Sequence, residues 1–197
     1  MAFILLKWKA DMIKRFSNWI VQRSKGWLTL AGVLIMILFM IFVLPDQASK
    51  SLEITGSSSS PDTSFFYTPS DLYQIAEEYG ISGRQAYIRS RWTFDLIFPL
   101  VYVLFLATGI SWLYTSLSTQ DTRWGLSNLL PILGGIFDYL ENVATSFVMA
   151  IYPDKIITLA VAAAGFTLLK WILISLAFLA YLILFFWAII NWIQRRG

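Results

Sequence analysis

The sequence predicts an all-α integral membrane protein, and three observations support this prediction. Of the 197 residues, 57% are hydrophobic, and the mean hydropathy of +0.64 is typical of membrane proteins. Long apolar runs recur along the chain, and such runs can cross a bilayer as helices. Basic residues concentrate at the amino terminus, among apolar ones. We therefore expect four transmembrane helices, an amino-terminal interfacial amphipathic helix and a short extracytoplasmic helix.

Residues 1–26 are predicted to form a cytoplasmic, basic amphipathic arm. Apolar residues recur here every three or four positions, and the arm carries six lysines and arginines. We expect the arm to lie among lipid headgroups, so that membrane lipid is its partner. Nucleic acid is not expected to bind, because the apolar face of the arm would make no favourable contact with phosphate groups.

Residues 27–196 are predicted to form the membrane domain. Its four spans cover about residues 27–44, 93–115, 129–152 and 156–193. Residues 45–82 form an extracytoplasmic loop, of which the part up to about residue 64 is polar, serine-rich and predicted to be mobile. A short helix is expected from Asp71 to Tyr79. A long helix should begin at Ser82 and continue into the second span, where Pro99 should kink it or free a carbonyl.

The distribution of basic residues predicts the orientation. The arm, the loop at 116–127 and the carboxyl-terminal tail all carry lysine or arginine and would share one side of the membrane. Because basic flanks favour the cytoplasm, we predict a multi-pass protein of the cell (inner) membrane with both termini cytoplasmic.

Three polar residues interrupt the third span. Asp138, Glu141 and Asn142 share one helix face, because they are spaced by three and four residues. An ionised side chain at the bilayer centre costs roughly 2.5 to 3.5 kcal/mol, so this face must meet partners inside the bundle. The third and fourth spans are joined by a short turn, and counting from it sets Lys170 level with Asp138. We predict an Asp138–Lys170 pair, or one shared with Glu141.

Further polar residues lie on the second span and before it. Counting from the 116–127 loop places Tyr102 near the depth of Glu141, whereas Asp95 lies nearer the outer surface, four residues after Arg91. Arg91 and Arg84 are interpreted as membrane-surface anchors, with binding of a phosphate headgroup as the alternative.

The absence of cysteine and histidine limits the chemistry. It excludes disulfides, thiolate and imidazole catalysis, and the usual zinc and haem ligands. A hard cation would need more oxygen ligands than Asp138 and Glu141 provide. We therefore predict no cofactor and no metal site.

A set of spaced residues resembles an uncharacterised family of small bacterial four-span integral membrane proteins. The set comprises Tyr79-Gly80, Gly83-Arg84, Tyr87-Ile88-Arg89, Asp95, Pro99, Asp138, Glu141-Asn142 and Lys170-Trp171. The resemblance covers about residues 66–190. It implies the four-span fold and the importance of these positions, and it implies no reaction.

The function of the polar residues stays open between a structural contact and a site. Asp138, Glu141 and Lys170 carry a net charge of −1 if all are ionised. Either one acid is therefore protonated, or a tyrosine hydroxyl stabilises the second carboxylate by donating a hydrogen bond. By elimination we expect Glu141 to hold the proton. An intramembrane ionisable cluster indicates a functional site.

Three function classes follow. In the first, the bundle binds or acts on an apolar or lipid-like small molecule, with Asp138, Glu141 and Lys170 as acid–base groups and the residues Asn142, Tyr102, Asp95, Arg91 and Arg84 in binding. In the second, the chain is a non-catalytic accessory subunit with a membrane-protein partner. The third is proton-coupled transport, for which a four-span protein would form a homo-oligomer. The sequence leaves open whether the protein is an enzyme.

Overall fold

The computed structural model describes residues 2–55, 60–61, 64–117 and 121–196, and this part of the chain is helical without any β-strand. The all-α prediction is confirmed. The helices are α1 (Ala2–Arg23), α2 (Gly26–Leu38), α3 (Leu44–Thr55), α4 (Pro69–Glu78), α5 (Gly80–Arg91), α6 (Phe94–Leu117), α7 (Thr122–Leu126), α8 (Leu130–Ile151) and α9 (Ile157–Gln194).

Three helical segments of the described chain are long and apolar enough to cross a membrane. They are Gly26–Glu53, Gly80–Leu117 and Ile157–Gln194. These segments include the first, second and fourth predicted spans, which supports a membrane protein with transmembrane helices. The predicted third span is α8, which is not among them because Asp138, Glu141 and Asn142 interrupt its apolar sequence.

The first span, Gly26–Glu53, is longer than predicted. A π-helical turn at Phe39–Val43 joins α2 to α3, and α3 continues to Thr55. The predicted loop is therefore wrong over residues 45–55, whereas residues 56–59 lie outside the described part. Pro45 lies just after the π-helical turn and has no N–H to bond to a carbonyl in that turn. Lys50 also pairs with Asp46 one turn away, with Nζ and Oδ2 2.6 Å apart.

The short helix predicted at 71–79 is present as α4, but it begins earlier. Thr68 is the N-cap, because its hydroxyl accepts from the backbone N–H of Asp71 and its own N–H donates to Oδ2 of Asp71 at 2.8 Å. The backbone N–H of Thr68 and, to a smaller extent, its hydroxyl stabilise the carboxylate of Asp71 and lower the pKa of Asp71. Gly80 ends α4 with a φ of +59°, a conformation that glycine adopts without strain.

The long helix predicted from Ser82 is divided in the structure. It begins at Gly80, stops at Arg91, turns at residues 92–93 and resumes at Phe94. The hydroxyl of Thr93 in this turn donates to the carbonyl of Arg89 at 2.8 Å. Pro99 lies inside α6, within the first two turns of that helix. The turn sits beside the charged residues Arg91 and Asp95.

The helices pack as an antiparallel bundle. α8 and α9 run antiparallel and have the closest packing, helped by the buried small residues Ala160 and Ala163. α2 packs along α6, where the Thr29 hydroxyl donates to the carbonyl of Thr108 at 3.2 Å. α1 lies across the end of α6 and is tied to the bundle by Ser17, whose hydroxyl donates to Oδ1 of Asn128 at 2.9 Å.

Candidate functional site

The acid–base cluster consists of Asp138 and Glu141 on α8 and Lys170 on α9. The ammonium nitrogen of Lys170 lies 2.5 Å from Oε2 of Glu141 and 3.6 Å from Oδ1 of Asp138. All three residues are buried, and Glu141 has no exposed surface. The antiparallel packing of α8 and α9 thus brings Lys170 between both acids, and its contact with Glu141 is the closer one.

Tyr102 on α6 completes the contacts of Asp138. Its hydroxyl donates to Oδ2 of Asp138 at 3.0 Å. The sequence-based placement of Tyr102 at the depth of Glu141 is therefore wrong by about one helical turn. The count failed because α7 and a 3-10 turn at Ser127–Leu129 occupy the connection between α6 and α8 and shift the two helices relative to each other.

A second charged pair lies close to this cluster. The guanidinium of Arg91 is 2.6 Å from Oδ2 of Asp95 and lies over the ring of Tyr87, 4.7 Å from its centroid. Both charged residues are 7% exposed. The amide of Asn142 donates to the carbonyl of Asp95 at 3.5 Å, which connects this pair to α8.

Arg84 is placed apart from the other predicted site residues. Its guanidinium donates to the carbonyl of Ala76 at 2.8 Å and lies 4.8 Å from the ring centroid of Tyr152. Arg84 therefore ties α5 to α4 and to the end of α8, and it does not line the cavity described next.

A cavity of about 720 Å³ lies between the first span, α5, α6, α8 and α9. Its charged lining residues are Arg91, Asp95, Asp138 and Lys170, with Tyr102 beside them. Much of the remaining wall is aromatic, with Phe94, Phe98, Phe105, Trp171 and Phe178. Glu141 does not line the cavity, so Asp138 is the member of the acid pair that a bound molecule would meet.

The contribution of α3 to the cavity was not predicted from the sequence. Five of its residues line the cavity, namely Leu44, Gln47, Ala48, Ser51 and Leu52. Their spacing of three and four residues was the available signal, since it places all five on one helix face. This spacing was not recognised as helical because the polar composition of the stretch is also typical of a loop.

Comparisons with protein-family models, curated proteins and solved structures found no match for this chain. The four-span family resemblance therefore stays a prediction. Within the described ranges, no group of three or more acidic side chains converges on a position where a metal ion could bind. Function is accordingly inferred from the geometry and charge of the cavity.

Proposed function

We propose that this protein crosses the cell membrane four times, with both termini cytoplasmic, and binds an apolar or lipid-like small molecule. The observation that carries the proposal is the cavity of about 720 Å³. Its volume lies within the range of roughly 300 to 1,000 Å³ of small-molecule sites, which combine apolar walls with a few convergent polar groups. Here the polar groups include the charged residues in one part of the cavity.

The position of the cavity favours a ligand that enters from the bilayer. The first span packs on α5 and α6, and the cavity lies between it and α9. A second cavity of about 420 Å³ lies between α2 and the carboxyl-terminal part of α9 and is lined almost entirely by apolar residues. In a four-span arrangement, both cavities lie between membrane helices and would be reached by molecules dissolved among lipid chains.

The charges around the cavity favour a bound proton. The three acids Asp95, Asp138 and Glu141 face the two cations Arg91 and Lys170, so the group carries one negative charge if all are ionised. Surplus charge in apolar surroundings is costly, and one proton removes it. The close Lys170–Glu141 contact favours Asp138 as the proton carrier, in place of Glu141 as first expected. Asp138 would then exchange a proton with the ligand.

A cavity-filling variant tests the binding site. The full chain is placed in lipid nanodiscs and titrated with a brominated fatty alcohol that quenches tryptophan fluorescence, with Trp171 as the reporter in the cavity wall. We expect saturable quenching that is lost in Ala48→Phe, whose ring enters the cavity, and kept in Ser49→Phe, the neighbouring position that does not line it. Equal, non-saturating quenching in all three proteins would contradict the proposal.

Infrared difference spectroscopy tests the proton. A protonated carboxyl band should be present near neutral pH, disappear in Asp138→Asn and persist in Glu141→Gln. If the native protein shows no such band, or if Asp138→Asn keeps it, Asp138 is not the proton carrier.

A further inference from the structure

Both cations that line the cavity already contact an acid of the protein. The guanidinium of Arg91 is 2.6 Å from Asp95, and the ammonium of Lys170 is 2.5 Å from Glu141. These four side chains are buried, so the attractions are only weakly screened by solvent. An anionic ligand group would have to compete with these acids for the two cations.

Asp138 is the third acid and faces a neutral donor and a more distant cation. The Tyr102 hydroxyl donates to it at 3.0 Å, and Lys170 lies 3.6 Å from its other oxygen. Among the described residues, no further lysine or arginine lines the cavity. The residues outside the described ranges contain neither lysine nor arginine. The surplus negative charge is therefore located at the cavity surface, where a ligand can compensate it.

The charged residues occupy one part of the cavity, from Arg91 and Asp95 to Asp138 and Lys170, and the apolar part follows. Along α9, the lining residues run from Lys170 through Ile174 to Phe178, a distance of about 12 Å at the α-helical rise. Along α6, they run from Asp95 to Leu106 in the same direction. A bound molecule would thus place a polar group at the Asp138 end and an apolar chain towards Phe178.

We infer that the molecule bound in this cavity is an amphiphile whose head is an ammonium group, held at Asp138, and whose apolar chain lies along the aromatic wall. This inference rests on the proposed function. The cation replaces the proton as the charge that balances Asp138. The ring of Phe98 packs edge-on against Tyr102, with centroids 5.6 Å apart, and both line the cavity beside Asp138. Aromatic faces of this kind attract cations that have left water.

The test compares three ligands with the same dodecyl chain and different heads. Dodecyltrimethylammonium, dodecanol and dodecyl phosphate each compete with the brominated fatty alcohol for the full chain in phosphatidylcholine nanodiscs. We expect the ammonium compound to bind about tenfold more tightly than dodecanol, which corresponds to one favourable charge contact of roughly 1.4 kcal/mol, and the phosphate to bind most weakly.

Variants assign the preference to Asp138. Asp138→Asn should lose the tenfold preference for the ammonium compound over dodecanol, whereas Asp138→Glu, which keeps the charge, should retain it. Asp46→Asn is the matched control, because it removes an acid from the exposed Lys50 pair on α3. Thermal unfolding of each variant confirms that it is folded.

The outcomes separate the two proposals. If dodecanol binds and the ammonium compound binds no better, or if Asp138→Asn keeps the ammonium preference, the inference is overturned and the binding function stands. If none of the three ligands competes with the probe in a saturable way, both the inference and the proposed function fail.

Discussion

The two sides of the cavity differ in polarity and in burial. The α8–α9 side carries Glu141 and Lys170, which are 0% and 4% exposed, and its helices approach closely through small residues. The first span forms the opposite side and is apolar through most of its length, yet Phe42 within it is 68% exposed. A side chain that is exposed in this way suits contact with lipid.

This difference separates two tasks that a membrane binding site must perform. Charged groups need a rigid, close-packed support, because an unpaired charge in apolar surroundings is costly. Entry of a ligand needs a helix that can separate from its neighbour with little loss of packing. We therefore expect substitutions on the α8–α9 side to reduce stability more than substitutions at the contacts of the first span.

The largest effect is expected at Lys170. Lys170→Met leaves two buried acids without their shared cation and should lower the free energy of unfolding by roughly 3 to 5 kcal/mol. Adding Glu141→Leu should recover much of this loss, and adding Asp138→Leu should recover less, because Lys170 is nearer to Glu141. Unfolding in detergent measures the three differences. Additive effects of Lys170→Met and Glu141→Leu would show that these residues do not interact.

An intermediate effect is expected where α8 meets α9. A Cβ atom at Gly134 would lie 2.9 Å from Cγ1 of Ile174, so Gly134→Ala should cost about 1 to 3 kcal/mol by overpacking. Gly165→Ala on α9 is the control, because no atom lies within 4 Å of its added Cβ. There the better helix propensity of alanine should leave stability unchanged or raise it by up to about 1 kcal/mol. Equal losses at the two sites would contradict the packing described here.

The smallest effect is expected in the first span. Thr29→Val removes the hydrogen bond to the carbonyl of Thr108 and keeps the shape of the side chain. Interhelical hydrogen bonds in membrane proteins contribute about 0.6 kcal/mol on average, so the loss should be near this value. A loss as large as that of Lys170→Met would show that the first span is held as firmly as α9.

The acid–base cluster could be predicted from the sequence because the cost of burying charge is large. Asp138 and Glu141 had to meet partners, and Lys170 is the internal cation of the neighbouring apolar run. Which acid it approaches could not be predicted. A shift of one residue between antiparallel helices moves a side chain by about 1.5 Å, which is comparable to the difference between the two Lys170 distances.

The cavity could not be predicted, because it depends on where α3 lies. The stretch containing Gln47 and Ser51 is polar enough for a loop, and in the structure it is a helix that packs against α5. The turn at residues 92–93 could not be predicted either, because neither position is a glycine or a proline. The large cost of burying charge could thus be recognised from the sequence, whereas the choice between helix and turn in a short segment could not.

The π turn at Phe39–Val43 determines how the first span would respond to the loss of one residue, and the composition of the span does not reveal this. Such a turn holds one residue more than an α-helical turn, and each residue in a helix corresponds to a rotation of about 100°. Deleting one residue there would keep the span apolar and long enough to cross a bilayer. Because the π turn accommodates the extra residue, this deletion would restore a regular α-helix and leave Gln47 and Ser51 facing the cavity. Deleting one residue from the regular part of α2 would instead rotate both side chains away from the cavity by about 100°, with the same hydropathy profile.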